Sequence, residues 1–255
     1  MTGSDGRRLR LFDAYRHEAI DEIDSTNSAA LTRARAGEAG GLWITAGRQT
    51  GGRGRRGRAW VSERGNLYAS LLLIDPAPVE RLHSLPLAVA VALHRAVSAV
   101  LPAEGAPVRL KWPNDVLIGG AKTSGILLEG EKLVDGRYAL VIGCGVNIAH
   151  APDNGLYTVT SLGAEGGAVS PDELFAHLFV AMAEVLDLWD EGRGIGRVIA
   201  EWTAVAAGIG ERITVNLPDR SLPGRFAGLD HEGRLILIPD EGAPIHIAAG
   251  DVFFG

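Results

Sequence analysis

The chain has 255 residues, 46% of them hydrophobic and 22% charged, with a formal net charge of −6. That length allows one large domain, or a medium and a small one, and the apolar share excludes wholesale disorder. The single cysteine, Cys144, excludes a disulfide framework and a cysteine-rich zinc site, and the acidic balance speaks against a generic nucleic-acid binder.

The opening stretch MTGSDGRRLRLFDAYRHEAI lacks the apolar centre of a secretion signal. No apolar run reaches the roughly 18 residues of a membrane span. The expectation is a cytoplasmic protein with no membrane partner. In chain order, DEIDSTNSAALTRARAG predicts a strand end, a cap at Ser25 or Thr26, and a helix. Residues 42–46 predict a short strand that runs into an Arg/Gly loop, and residues 66–74 a strand stopped by DPAP. Residues 84–101 predict a buried helix with Pro86 in its first turn. Compact strands follow at 108–112, at 115–118, at GILLEG and at 137–148. Ser170-Pro171-Asp172-Glu173 has the pattern of a capping box opening an amphipathic helix to about Asp190, with a further helix near 196–206. After Gly208 the chain reads as four short strands, ERITVNL, GRFAGLD, RLILIP and IHIAAGDVFF, which suits a small β-barrel or SH3-like module. Two domains are expected: 1–207, mixed α and β, and 208–255, all β.

Four stretches carry chemistry. Gly47 to Trp60, GRQTGGRGRRGRAW, holds five arginines and five glycines. It lacks the ending of a Walker loop, and strand rather than helix is predicted behind it, so neither the P-loop nor the dinucleotide fingerprint transfers. Glycines permit close backbone approach, and arginine forks match carboxylate and phosphate oxygens. Crowded arginines repel, so an anion would order the loop. Composition alone also suits a solvated linker or an RGG-like nucleic-acid segment. The second stretch is KWPND, Lys111 to Asp115, in which Pro113 forces Trp112 to be extended and Asn114 and Asp115 occupy a turn. The third, Asp24 to Asn27, places hydroxyls at a helix start. The fourth, GCGVN at 143–147, suits either close approach of a ligand or a bulge. Only three lysines, Lys111, Lys122 and Lys132, stand against twenty-two arginines, so a surviving lysine marks a place for a point charge; beside Glu131, Lys132 reads as chance.

Taken in order, DSTN, GRGRRGRAW, KWPNDV, GILLEG and GCGVNI closely resemble the biotin–protein ligases, also called biotin–[acetyl-CoA-carboxylase] ligases. The resemblance covers nearly the whole chain. It implies an α+β fold: a mixed sheet with helices, of the class II aminoacyl-tRNA synthetase and biotin ligase type, plus a C-terminal SH3-like barrel. It implies that biotin and ATP form biotinyl-5′-AMP and that biotin passes to one lysine of a carboxyl carrier domain of an acyl-CoA carboxylase. By motif match, Ser25, Thr26, Asn27, Gln49, Gly52, Arg53, Gly54, Arg55, Lys111, Gly125, Gly143 and Gly145 are expected around biotin. Arg55, Arg56, Arg58, Trp60, Lys111 and Asn147 are expected around the adenylate.

Lys111, Arg55 and Arg58 are expected to offset the repulsion between the attacking carboxylate and the α-phosphate. Asn114 and Asp115 are expected to hold Mg2+ through water. The loop is expected to close over the mixed anhydride and keep water out, and Cys144 to have no covalent role. Fewer than thirty residues precede the DSTN motif, too few for a three-helix DNA-reading domain, so no DNA partner is expected. Monomer and homodimer both stay open. The alternatives are a lipoate-type ligase of the same fold and a nucleic-acid binder acting through the Arg/Gly loop.

Overall fold

A computed structural model of the protein describes residues 12–152, 155 and 157–254. Residues 1–11 of the polar opening stretch, and Asn154, lie outside the described residues. Strands β1 (Arg16–Ile23) and β2 (Leu42–Gln49) pair in parallel, and helix α1 (Thr26–Arg35) forms the crossover between them. Then come β3 (Leu67–Ile74), helix α2 (Leu85–Ser98), β4 (Val108–Lys111), β5 (Asp115–Ile118), β6 (Ala121–Lys132) and β7 (Tyr138–Val146). These seven strands form one sheet in the order β1-β2-β3-β7-β6-β5-β4, antiparallel outside the first pair.

The alternation of side chains divides the sheet's apolar residues between its faces. Ile44, Leu72 and Val141 pack with Ala29, Ala30 and Ala34 of α1. Their neighbours Trp43, Leu71 and Ile142 turn to the opposite face, into the core that includes α2 and helix α3 (Pro171–Trp189). The Ser170 capping box forms: Glu173 N–H donates to Ser170 Oγ, and Ser170 N–H donates to Glu173 Oε2 at 2.8 Å. Helix α4 (Ile195–Ala204) adds the fully buried Trp202. The free edge of β4 is covered by the following linker, because Leu110 exchanges backbone hydrogen bonds with Val205 and Ala207.

Of the two readings left open for residues 143–147, the bulge is absent: β7 runs in unbroken register with β3 and β6 up to Val146. Two local expectations are corrected. The strand expected over 108–112 stops at Lys111, where Trp112 and Pro113 turn the chain and the Trp112 indole is buried. IHIAAGDVFF is two strands, β11 (Ile245–Ile247) and β12 (Asp251–Phe254). They join β8 (Arg212–Asn216), β9 (Ser221–Leu229) and β10 (Leu235–Ile238) in an antiparallel sheet ordered β11-β10-β9-β8-β12. Residues 248–250 carry the chain from one edge of this sheet to the other, and that crossing brings Asp251 toward the large sheet.

Candidate active site

The Arg/Gly stretch is a narrow finger closed by its own backbone. Gln49 N–H donates to Ser62 O, Trp60 N–H to Gly52 O, and Gly54 N–H to Arg58 O. Its tip is a single 3₁₀ turn, Arg55–Gly57, with Arg56 and Gly57 at positive φ (56° and 71°). Gly52 is required where the finger narrows, since a Cβ there would meet Ser62 Oγ and Trp60 O at 2.5 Å.

The finger overhangs a cleft whose free space, its open mouth included, is about 760 Å³. At one end stand Ser25, Thr26 and Asn27 from the start of α1, with Gln49 from the end of β2. Gln49 Oε1 accepts from Thr26 N–H at 2.8 Å, and Asn27 Nδ2 donates to Glu129 at 2.8 Å. Gly143 and Gly145 of β7 form the floor, together with Gly125 of β6. Their lack of side chains makes room for protein groups: a Cβ on Gly143 would strike Asn27, and one on Gly145 would meet the Trp60 ring at 2.6 Å.

The other end is cationic. Arg55, Arg58 and Lys122 line it beside Asn114, Asp115 and Asp251. Arg55 donates to Asn114 Oδ1 at 2.9 Å and to Gly250 O at 3.3 Å. Asp251 faces Arg55, Arg56 and Arg58 together, with Arg56 at 3.0 Å. Arg53 reaches instead to Ser28 and Glu129. The mutual repulsion expected among the arginines is therefore offset by two carboxylates supplied from outside the loop. Burial lowers the pKa of Arg55, and Asp251 and Asp115 oppose that shift. Burial also pushes the Cys144 thiol up to about 12, so at neutral pH it is a protonated, inert group beneath the floor.

Fourteen of the expected site residues line this cleft. Arg56 faces Asp251 and Asn216 from outside it, and Gly52 shapes the finger. Asn147 lines a second cavity of about 400 Å³ that shares Trp60, Lys122 and Tyr157 with the first. Lys111 is the correction: it does not line the cleft. Its ammonium lies 5.6 and 5.3 Å from the ring centroids of Phe253 and Phe254 of β12, and burial lowers its pKa. The lysine in the cleft is Lys122, which the sequence reading counted but gave no role. Its ammonium is 2.7 Å from Asp115 and lies over the Trp60 and Tyr157 rings at 5.6 and 4.9 Å. Register alone does not separate the two lysines, because Lys111 is directly opposite Asp115 at the β4–β5 turn and so starts from the same face. What separates them is their partners: Lys111 lies against Phe253 and Phe254, and Lys122 against Asp115, Trp60 and Tyr157. Tyr157 and Asp251 were also missed, since neither lies in a motif. The Trp60 indole N–H is buried with no acceptor among the described residues.

Residues 19–147 match the Biotin/lipoate A/B protein ligase family, and residues 208–255 match the Biotin protein ligase C terminal domain. A biotin–[acetyl-CoA-carboxylase] ligase of Paracoccus denitrificans is 39% identical over 92% of this chain and 99% of its own length. One from Mycobacterium tuberculosis is 31% identical over 92% of this chain and 87% of its own. The biotin protein ligase of Aquifex aeolicus, solved in complex with biotin and ATP, superposes with a TM-score of 0.78 at 28% identity, over 93% of this chain and 97% of that one. With both halves of the fold, the cleft and these relatives in agreement, the chain belongs to the biotin protein ligase family.

Proposed function

We propose that the cleft joins biotin to ATP as biotinyl-5′-AMP and that the biotinyl group then passes to one lysine of a carboxyl carrier domain of an acyl-CoA carboxylase, in the cytoplasm. The carrying observation is the polarity of the cleft. A neutral hydrogen-bonding end, formed by Ser25, Thr26, Asn27 and Gln49, faces a cationic end formed by Lys122, Arg55 and Arg58. A bicyclic urea with a carboxylate tail has the same polarity.

Biotin enters with its ureido group toward Thr26 and Gln49 and its carboxylate toward Lys122. The carboxylate attacks the α-phosphorus of ATP, and pyrophosphate leaves. Two anions must meet for that step. Lys122, Arg55 and Arg58 offset their repulsion. Trp60 and Tyr157 flank Lys122 and supply flat apolar surfaces on the nucleotide side, with Asn147 in the adjoining cavity. Lys111 stands outside the cleft, against Phe253 and Phe254 of the C-terminal sheet.

Asp115 and the amide oxygen of Asn114 are hard oxygen donors at the cationic end, and no three metal-ligating side chains cluster among the described residues. That donor set suits Mg2+ held chiefly by the phosphates, whose charge it would neutralise. The mixed anhydride is labile to water, and the Arg/Gly finger shields it until the acceptor lysine attacks the carbonyl and AMP leaves.

The test is mass spectrometry of a carboxyl carrier domain incubated with the protein, ATP and either biotin or lipoate. A gain of one biotin on one lysine is expected. Lipoate transfer without biotin transfer would overturn the substrate assignment.

A further inference from the structure

At the neutral end of the cleft, three oxygen–oxygen contacts run in series. Gln49 Oε1 lies 3.0 Å from Thr26 Oγ1, Thr26 Oγ1 lies 2.7 Å from Ser70 Oγ, and Ser70 Oγ lies 2.6 Å from Asn27 Oδ1. Both amides are fixed in orientation by their other bonds. Gln49 Oε1 also accepts Thr26 N–H, while its Nε2 donates to Ser62 Oγ at 2.9 Å. Asn27 Nδ2 donates to Glu129. The two amide oxygens can only accept, so hydrogens for the series come from two hydroxyls alone. Three contacts share two hydrogens, and one contact must lack a hydrogen.

Ser70 decides which. It lies mid-sheet on β3 with no solvent exposure and makes the two shortest contacts. Its own hydrogen goes to Asn27, the partner that cannot donate, and it takes the hydrogen of Thr26. The deficit then falls on the longest contact, between Thr26 Oγ1 and Gln49 Oε1, and both of those residues line the cleft. Two sets of lone pairs face each other there, and an incoming N–H relieves both.

We propose, as an inference that rests on the ligand proposed above, that Ser70 is a positioning residue for head-group recognition. By drawing the Thr26 hydroxyl hydrogen away from the cleft, it makes Thr26 and Gln49 a two-acceptor clamp for a ureido N–H. Without Ser70, Thr26 donates to Gln49 and the clamp is satisfied before any ligand arrives. Ser70 itself touches no substrate.

The experiment is calorimetric titration of the full chain with biotin, for the wild type, Ser70→Ala, Thr26→Val and the double variant. Ser70→Ala is expected to raise the biotin Kd about tenfold, the worth of one hydrogen bond. In pyrophosphate-release assays it should raise the KM for biotin and leave that for ATP within about twofold, inside ordinary non-additivity. In the Thr26→Val background, the same change should alter the Kd by less than about twofold, because the hydrogen it redirects is gone. Should Ser70→Ala fold poorly, the near-isosteric Ser70→Cys, a weak donor and acceptor, is expected to weaken biotin several-fold. An unchanged Kd in a folded Ser70 variant, or equal losses in both backgrounds, would overturn the positioning role. Failure of the wild type to bind biotin would overturn the ligand assignment itself.

Discussion

Lys122 and Lys111 show how little a residue type says without its direction. Both are lysines near Asp115, and both are partly buried. Only Lys122 meets the cleft, so Lys122→Ala is expected to slow pyrophosphate release at least about a hundredfold, as removal of a charge-stabilising donor does. Lys111→Ala should slow it less than about tenfold. Comparable losses in the two variants, in a pyrophosphate-release assay, would reverse this ranking. The motif KWPND marked the right neighbourhood because Asn114 and Asp115 line the cleft. It pointed to Lys111, which does not line the cleft, because nothing in five consecutive residues encodes which way a strand end points.

A second residue-scale prediction concerns Asp230. Its carboxylate is almost fully buried and accepts from two backbone N–H groups, Arg234 Nε and the His246 ring. Burial alone would raise its pKa, but these partners outweigh burial and hold it well below the usual carboxylate range. A depressed acid stabilises the fold fully above its unfolded value and loses that contribution as pH falls through the folded value. Asp230→Asn is therefore expected to cost about 2 kcal/mol at pH 7, and the gap from the wild type should shrink as pH drops below about 4. Urea titrations at several pH values measure it.

At the scale of elements, two helix starts use the same residue type differently. Ser170 caps α3 with reciprocal bonds to Glu173. Ser25 caps α1 with one long contact, 3.4 Å from Ser28 N, and leaves its hydroxyl at the cleft. Ser170→Ala is expected to lower Tm by about 2–4 °C without changing the biotin Kd. Ser25→Ala should do the reverse, barely moving Tm while weakening biotin. Calorimetry and thermal melts on both variants separate the roles.

Most elements were legible because their periods and stops are local. The capping box of α3, the Pro86 start of α2 and the apolar run of β3 with its DPAP stop all stand in consecutive residues. The split of IHIAAGDVFF into two strands was not legible. It depends on which edges of the small sheet are free, and this is settled only by the strands already paired there. Ser70 was illegible for a related reason: a serine in LYASLLLI reads as an ordinary strand residue until α1 lays Thr26 and Asn27 above it.

Across the whole molecule, the two sheets meet at the reaction end of the cleft. Asp251 of β12 faces three arginines of the finger, Gly250 O and Asn216 O accept from two of them, and Trp112 Nε1 donates to Gly233 O at 3.3 Å. The small domain thus holds the finger over the cleft from outside the large one. Asp251→Asn is expected to speed release of the bound adenylate about tenfold, the worth of a partly buried charge-assisted bond. Arg55→Gly should act in the same direction. A pulse-chase with labelled biotin reads both, and an unchanged release rate for either variant would separate the small domain from retention of the intermediate.

The placement of the lysines has a consequence for the molecule's own surface. An acyl adenylate that escapes into solution labels whatever exposed amine it meets first, the enzyme included. Here Lys111 and Lys122 are partly buried against aromatic rings, and Lys132 is the one exposed lysine. Arginine, which supplies twenty-two of the twenty-five lysine and arginine side chains, stays protonated and does not acylate. Prolonged turnover without an acceptor should therefore leave the chain nearly free of self-modification, and any side-chain label that does appear should sit on Lys132.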